Sequence, residues 1–143
     1  MAFSAKTEYA LVALIELASI HPGGGVLQVA EIASNQNIPD RYLEQMLTSL
    51  RRSGILRSIR GPRGGYQLHR PPAQIQVSEV IACLEGESSP REPAGRLSPE
   101  FEVVDSLAAQ LERQRQALLE ATSLQDLLEQ RDARLQAQSM YFI

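Results

Sequence analysis

The residues best placed to do chemistry lie between positions 38 and 66, and their chemistry is recognition, not bond-making. Arg41, Tyr42, Glu44 and Gln45 crowd into five positions, and Arg57, Arg60 and Arg63 follow among Gly61, Pro62, Gly64 and Gly65. The first group can hydrogen-bond base edges or phosphates. Guanidinium groups on a glycine-rich turn suit phosphate oxygens and the minor groove. A helix shaped for the major groove, followed at once by a basic wing, implies sequence-specific binding of double-stranded DNA. Glu44 repels phosphate, so it fits such a face only by accepting from a cytosine amino group; its plain alternative is a solvated charge paired with Arg41. Arg51 and Arg52 either touch phosphate or simply complement the end of the helix dipole. Lys6 and Tyr9 offer backbone contacts from an earlier helix, Tyr9 having a core position as its alternative. Gly64 and Gly65 let the wing turn tightly and approach DNA closely.

Nothing in the chain assembles a catalytic site. There is no nucleophile elbow, phosphate loop or paired-carboxylate arrangement, and the run from 61 to 65 has no lysine-serine ending and opens no helix. His21 and His69 lack the closely spaced partners that metal sites use, so no metal is expected. Cys83, the single cysteine, reads as a small semi-buried apolar residue, with a redox sensor as the alternative.

The elements that must position these residues follow from periodicity. A recognition helix spans 39–53, with Leu43, Met46, Leu47 and Leu50 at i, i+3, i+4 and i+7 turned inward. Asn37 suits the left-handed corner before it, Pro39 the first helical position and Asp40 the positive end of the dipole. Gly54 ends the helix, and strands over 56–60 and 65–69 flank the wing tip. Upstream, a helix over 4–20 is expected, with Ser4 as N-cap and Tyr9, Val12, Ala13, Leu17 and Ile20 as its apolar stripe. His-Pro-Gly-Gly-Gly at 21–25 breaks it, and a shorter helix covers 29–36 with Val29, Ile32 and Ala33 inward. After Pro71-Pro72, a short helix over 78–85 takes Ser78 as N-cap, and Gly-, Ser- and Pro-rich sequence over 86–99 reads as a linker. A long amphipathic helix spans 100–121, and Thr122-Ser123 caps a final helix in a capping-box pattern with Asp126.

The expected fold is therefore mainly α: a winged helix-turn-helix domain over 1–85, a linker over 86–99, and a dimerisation helix with a C-terminal segment over 100–143. Phe101, Val104, Leu107, Leu111 and Leu118 form a stripe with no partner left in the first domain, so a homodimer is expected. Two-fold symmetry also suits a pseudo-palindromic operator.

Composition sets the remaining bounds. The net charge of −3 hides a division: residues 1–72 carry eight basic and five acidic residues, or +3, leaving six basic and twelve acidic, or −6, for 73–143. The basic excess gathers where the DNA-binding pattern lies, and local field governs approach to phosphates. The longest apolar run, 9–15, is too short to span a bilayer, so no membrane is expected. No secretory leader is expected, and one cysteine permits no internal disulfide; both fit the cytoplasm.

These residues resemble the IscR-like winged-helix transcriptional regulators, also called the Rrf-two family. The resemblance is carried by Ser4-x-Lys6-x-x-Tyr9-Ala10, Glu31-Ile32-Ala33, Tyr42-Leu43-Glu44-Gln45 with Leu50-Arg51, and above all Arg60-Gly61-Pro62-x-Gly64-Gly65-Tyr66-x-Leu68 followed by Arg70-Pro71-Pro72. It runs without a gap from about residue 2 to 86; beyond that only the architecture matches. It implies base contacts by Arg41 and Glu44 and minor-groove entry by Arg60. Arg41 replaces the small hydroxyl residue often found there, so a different base preference is implied. Iron–sulfur members carry three cysteines before the long helix, and 87–99 has none, so no cluster is expected as cofactor. Some cluster-free relatives are controlled by a metabolic enzyme. The expected function is a dimeric regulator, acting as a repressor, that answers a regulatory protein or small-molecule effector. The alternative is a winged-helix module whose main partner is another protein, although Arg57, Arg60 and Arg63 on one hairpin would then have no purpose.

Overall fold

Ser4 opens α1 (Ala5–Ile20) by accepting a hydrogen bond from the Thr7 amide at 3.2 Å. In the computed structural model, which describes residues 2–86 and 98–140, α1 is the helix around which the others gather. It packs against α2 (Val29–Gln36), α3 (Asp40–Arg52), α4 (Val77–Glu85), the second strand of the hairpin and α6 (Leu124–Met140). The expected stripe is only part of what it buries. Ala13 and Leu17 are buried, but so are Ala10, Leu11, Leu14 and Ala18, while Tyr9, Val12 and Ile20 are half-buried at the margin. A helix enclosed on several sides buries more than one stripe.

The next two helices are set by their ends. Glu31 reaches back to accept from the Gln28 amide at 3.2 Å, starting α2 at Val29. Asn37 then takes φ 54° and ψ 49°, and Ile38 N–H closes on the Ala33 carbonyl at 3.0 Å. Asparagine tolerates this left-handed corner because its short polar side chain can hydrogen-bond the local backbone, which offsets the Cβ crowding. Pro39 is the N-cap of α3 and not its first helical residue as expected, with extended backbone at ψ 127°. Leu43, Met46, Leu47 and Leu50 are each at most 4% exposed. Burying each such side chain stabilises the fold by about 1.5–3 kcal/mol. Gly54, at φ 81°, ends the helix, and Ile55 N–H bonds the Leu50 carbonyl at 3.0 Å, so the chain enters β1 (Leu56–Ile59) without a linker.

β1 pairs antiparallel with β2 (Gly65–Leu68) in the register Leu56↔Leu68, Arg57↔Gln67, Ser58↔Tyr66 and Ile59↔Gly65. Each strand is one residue shorter than expected, leaving Arg60 in the tip and His69 outside the ladder. A third piece of chain joins: Leu27 bonds Tyr66 through both backbone groups, at 3.0 and 2.8 Å.

α4 begins at Val77 with Gln76 as N-cap, not at Ser78 as expected. Two contacts decide this. Glu79 accepts from the Gln76 amide at 3.3 Å, and the backbone of 75–77 pairs with 122–124, through Val77 N–H to Thr122 O at 2.8 Å and Leu124 N–H to Ile75 O at 3.0 Å. Most of the linker expected at 86–99 lies outside the described residues. The chain resumes at Ser98, which caps α5 (Pro99–Ala121) by accepting from Phe101 N–H at 3.3 Å. The Ser123–Asp126 capping box is present, at 2.9 and 3.1 Å. Leu119, Leu124 and Leu128 then join the core built by the first four helices. The end of α5 and the start of α6 thus pack against the winged-helix unit, a contact the sequence did not announce.

Candidate nucleic-acid interface

With its apolar side committed to the core, α3 turns Arg41, Tyr42, Glu44 and Gln45 outward, and all four are exposed. Tyr42 keeps 43% of its surface exposed. Thr48 and Ser49, one turn on, direct their hydroxyls back to the carbonyls of Glu44 and Gln45 at 2.8 and 3.1 Å, which leaves the earlier side chains to define the face. Arg41 and Glu44 form no ion pair with each other among the described residues, and Glu44 stands as an exposed charge. Arg51 and Arg52 stand exposed in the last turn. On α1, Lys6 is exposed and Tyr9 is half-buried against the core. The turn that carries Lys6 is anchored by Glu85, which accepts from Thr7 Oγ1 at 3.0 Å and Ser4 N–H at 3.3 Å.

The wing tip is shaped by backbone crowding. Gly61 takes φ 112°, and Gly64 N–H closes on the Gly61 carbonyl at 2.9 Å. A Cβ on Gly64 would lie 2.0 Å from the Ile59 carbonyl oxygen, and one on Gly65 would lie 2.5 Å from that of Leu27. Both glycines are therefore required by the protein's own backbone, a nearer reason than the approach to DNA expected from sequence. Their effect is to project Arg60, Pro62 and Arg63 outward, all exposed. Neither Arg60 nor Arg63 has an ion pair or side-chain hydrogen bond among the described residues. Arg70 differs: Glu79 and the Gln74 carbonyl hold its guanidinium, so it belongs to the scaffold.

Sequence reasoning missed the device that fixes the wing to the body. Gln67, 7% exposed, donates to the Gly24 and Gly25 carbonyls at 3.3 and 3.2 Å and accepts from Arg57 Nε. The only available signal was Gln67 standing in a strand otherwise flanked by Tyr66 and Leu68. The glycines at 23–25 read merely as a helix breaker. On α5, Phe101 is 41% exposed, and Val104, Leu107, Leu111 and Leu118 are 57–67% exposed. Arg115 of the same helix reaches Glu85 at 3.8 Å. No helix among the described residues is long and apolar enough to cross a membrane.

A helix-turn-helix whose second helix bares a polar face, joined to a glycine-locked basic hairpin, is the winged-helix fold. The model of the Rrf2 family, described as an iron-dependent transcriptional regulator, matches residues 3–130, and the chain belongs to that family. It is 36% identical to the transcriptional regulator CymR of Bacillus subtilis over 141 residues, 99% of each chain. It is 44% identical over 86 residues to IscR of Cereibacter sphaeroides, a match covering 59% of this chain. Two of the curated relatives are spanned over only 60% and 56% of their length, the second being that IscR. Among solved structures, T. potens IscR superposes with a TM-score of 0.77 at 30% identity, covering 92% of this chain and 88% of its own. CymR, the global cysteine regulator of B. subtilis, does so with a TM-score of 0.74 at 35% identity, covering 90% and 97%. These relatives are named as regulators and not as enzymes.

The crowding at Gly64 gives a direct expectation. Gly64→Ala should force the tip open, destabilise the fold by at least about 1 kcal/mol and weaken duplex binding for every sequence. Thermal unfolding and a binding titration check this; wild-type values in both would contradict it.

Proposed function

We propose that the chain works as a homodimeric, sequence-specific repressor that occludes a pseudo-palindromic operator. The observation that carries this reading is the outward face of Arg41, Tyr42, Glu44 and Gln45, joined without a linker to a rigid tip bearing Arg60 and Arg63. In this reading Arg41 donates to guanine O6 and N7, Glu44 accepts from a cytosine amino group and Gln45 pairs with adenine. Arg60 enters the minor groove beside the wing, while Lys6, Tyr9, Arg51 and Arg63 hold phosphates. The α5 stripe, with Val104, Leu107, Leu111 and Leu118 more than half exposed, is the surface a second copy would cover. The working compartment in this reading is the cytoplasm.

The family is described as iron-dependent, and the donor set of this chain does not fit a cysteine-ligated cluster. Cys83 lies on α4 with its Sγ 2.9 Å from Ser53 Oγ and 3.5 Å from the Ser49 carbonyl. Residues 87–97 contain neither cysteine nor histidine. Iron–sulfur clusters commonly take four thiolates, and a symmetric dimer of this chain supplies two. We therefore favour control by a regulatory protein or small-molecule effector. Likeness over the whole chain to the global cysteine regulator of B. subtilis favours cysteine-related genes as targets.

Three measurements check this reading. Titration against a duplex selected from a random DNA pool should give tight, salt-sensitive binding. Arg63→Ala should weaken it for all sequences and reduce the log–log salt slope by about 1, whereas Glu44→Ala should relax preference at one base pair. Equal affinity for selected and scrambled duplexes would remove the claim. Light scattering should report a dimer at micromolar concentration, and Leu107→Glu with Leu111→Lys a monomer of low operator affinity; a monomeric wild type contradicts the dimer. Anaerobic purification should yield protein without stoichiometric iron and sulfide. Both present in stoichiometric amounts, with visible charge-transfer bands lost in Cys83→Ala, would overturn cluster-free control.

A further inference from the structure

Arg57 stands at the root of the wing, directly across the hairpin from Gln67. Its Nε donates to the Gln67 Oε1, and the other end of that amide is bound to the Gly24 and Gly25 carbonyls at 3.3 and 3.2 Å. Gln67 is 7% exposed, and leaving a buried amide unsatisfied costs roughly 1–3 kcal/mol. Its position is therefore strongly determined by the loop after α1, 42 and 43 residues away in the chain.

The consequence falls on Arg57. A guanidinium carries five N–H donors in a fixed fork, and Gln67 takes the one nearest the backbone. The residue is exposed, and no carboxylate pairs with it among the described residues. Arg70, Arg115 and Arg131 are the contrast: each has an acidic partner. A neutral amide fixes the orientation of Arg57 without neutralising it, so the full positive charge and the terminal N–H groups remain for an outside anion. A free surface arginine loses about 2 kcal/mol of rotamer entropy when ordered, and part of that loss has already been incurred here. Three residues of strand, about 10 Å, separate Arg57 from Arg60, far enough for the two to meet different groups on a nucleic acid.

We propose that Arg57 is a preorganised phosphate-binding residue of the DNA interface and that Gln67 is its positioning residue, so the wing grips the backbone at its root as well as its tip. This rests on the DNA-binding reading above. The test uses the full chain and its selected duplex across a salt series. Arg57→Ala should lower affinity about tenfold for every sequence and reduce the log–log salt slope by about 1. Arg57→Lys keeps the charge but loses the Nε anchor, and should restore the slope with a fewfold loss of affinity. Gln67→Leu should weaken binding fewfold, and adding Arg57→Ala to it should cost less than Arg57→Ala alone, since the two act as one unit. Wild-type affinity and slope in Arg57→Ala, beside clear losses in Arg63→Ala, would overturn the proposal and leave DNA binding intact. Full wild-type affinity in Arg57→Lys would overturn the positioning role, a result that stands even if Gln67→Leu fails to fold. A wild-type chain with no duplex affinity would remove both.

Discussion

Leu43, Met46, Leu47 and Leu50 lie on one side of α3, and their burial against α1, α2 and α4 fixes the rotation of that helix about its own axis. Everything at the interface inherits this constraint. A turn of 100° per residue places Arg41, Glu44 and Gln45 opposite the buried row, so the polar face needs no support of its own. Because Gly54 lets the chain double back at once, the same burial also aims β1 and with it the wing. Replacing a buried leucine here by alanine would remove about 2–5 kcal/mol, a large share of the stability of a domain this size.

The wing depends on a second constraint, crowding of backbone against backbone. Gly64 is packed under the Ile59 carbonyl and Gly65 against Leu27. The Gly65–Leu27 contact ties the base of the tip to the body, and the Gln67 amide adds a side-chain lock to the loop after α1. Rigidity matters because contacts made by ordered groups carry a smaller entropic penalty on binding. The charges follow the same division: Arg70 is paired inside the scaffold, while Arg60 and Arg63 face outward. The net charge of −3 misleads, because the acidic residues concentrate after position 72.

What was legible in the sequence was what local rules control. The inward face of α3, the span of α2, the left-handed Asn37, the hairpin and the Ser123–Asp126 capping box all depend on residues within a few positions of one another. What was not legible depends on distant partners. Ser78 is a reasonable N-cap in isolation, but pairing of 75–77 with 122–124 and the reach of Glu79 start α4 at Val77. The apolar stripe expected on α1 is incomplete because α6, more than a hundred residues later, covers a further side. The Gln67 lock joins residues more than forty positions apart, and nothing in the glycines at 23–25 announces that their carbonyls are acceptors. The candidate DNA-facing residues were thus identifiable by type, while the reason for their order was not.

In the proposed dimer, two copies of this chain present α3 and the wing to adjacent grooves of one duplex. Hydroxyl-radical footprinting of the full chain on its selected duplex tests it most directly. A two-fold symmetric pattern is expected, with each major-groove half-site flanked by minor-groove protection that is lost in Arg60→Ala. A single asymmetric footprint, or symmetric protection that Arg60→Ala leaves unchanged, would contradict it.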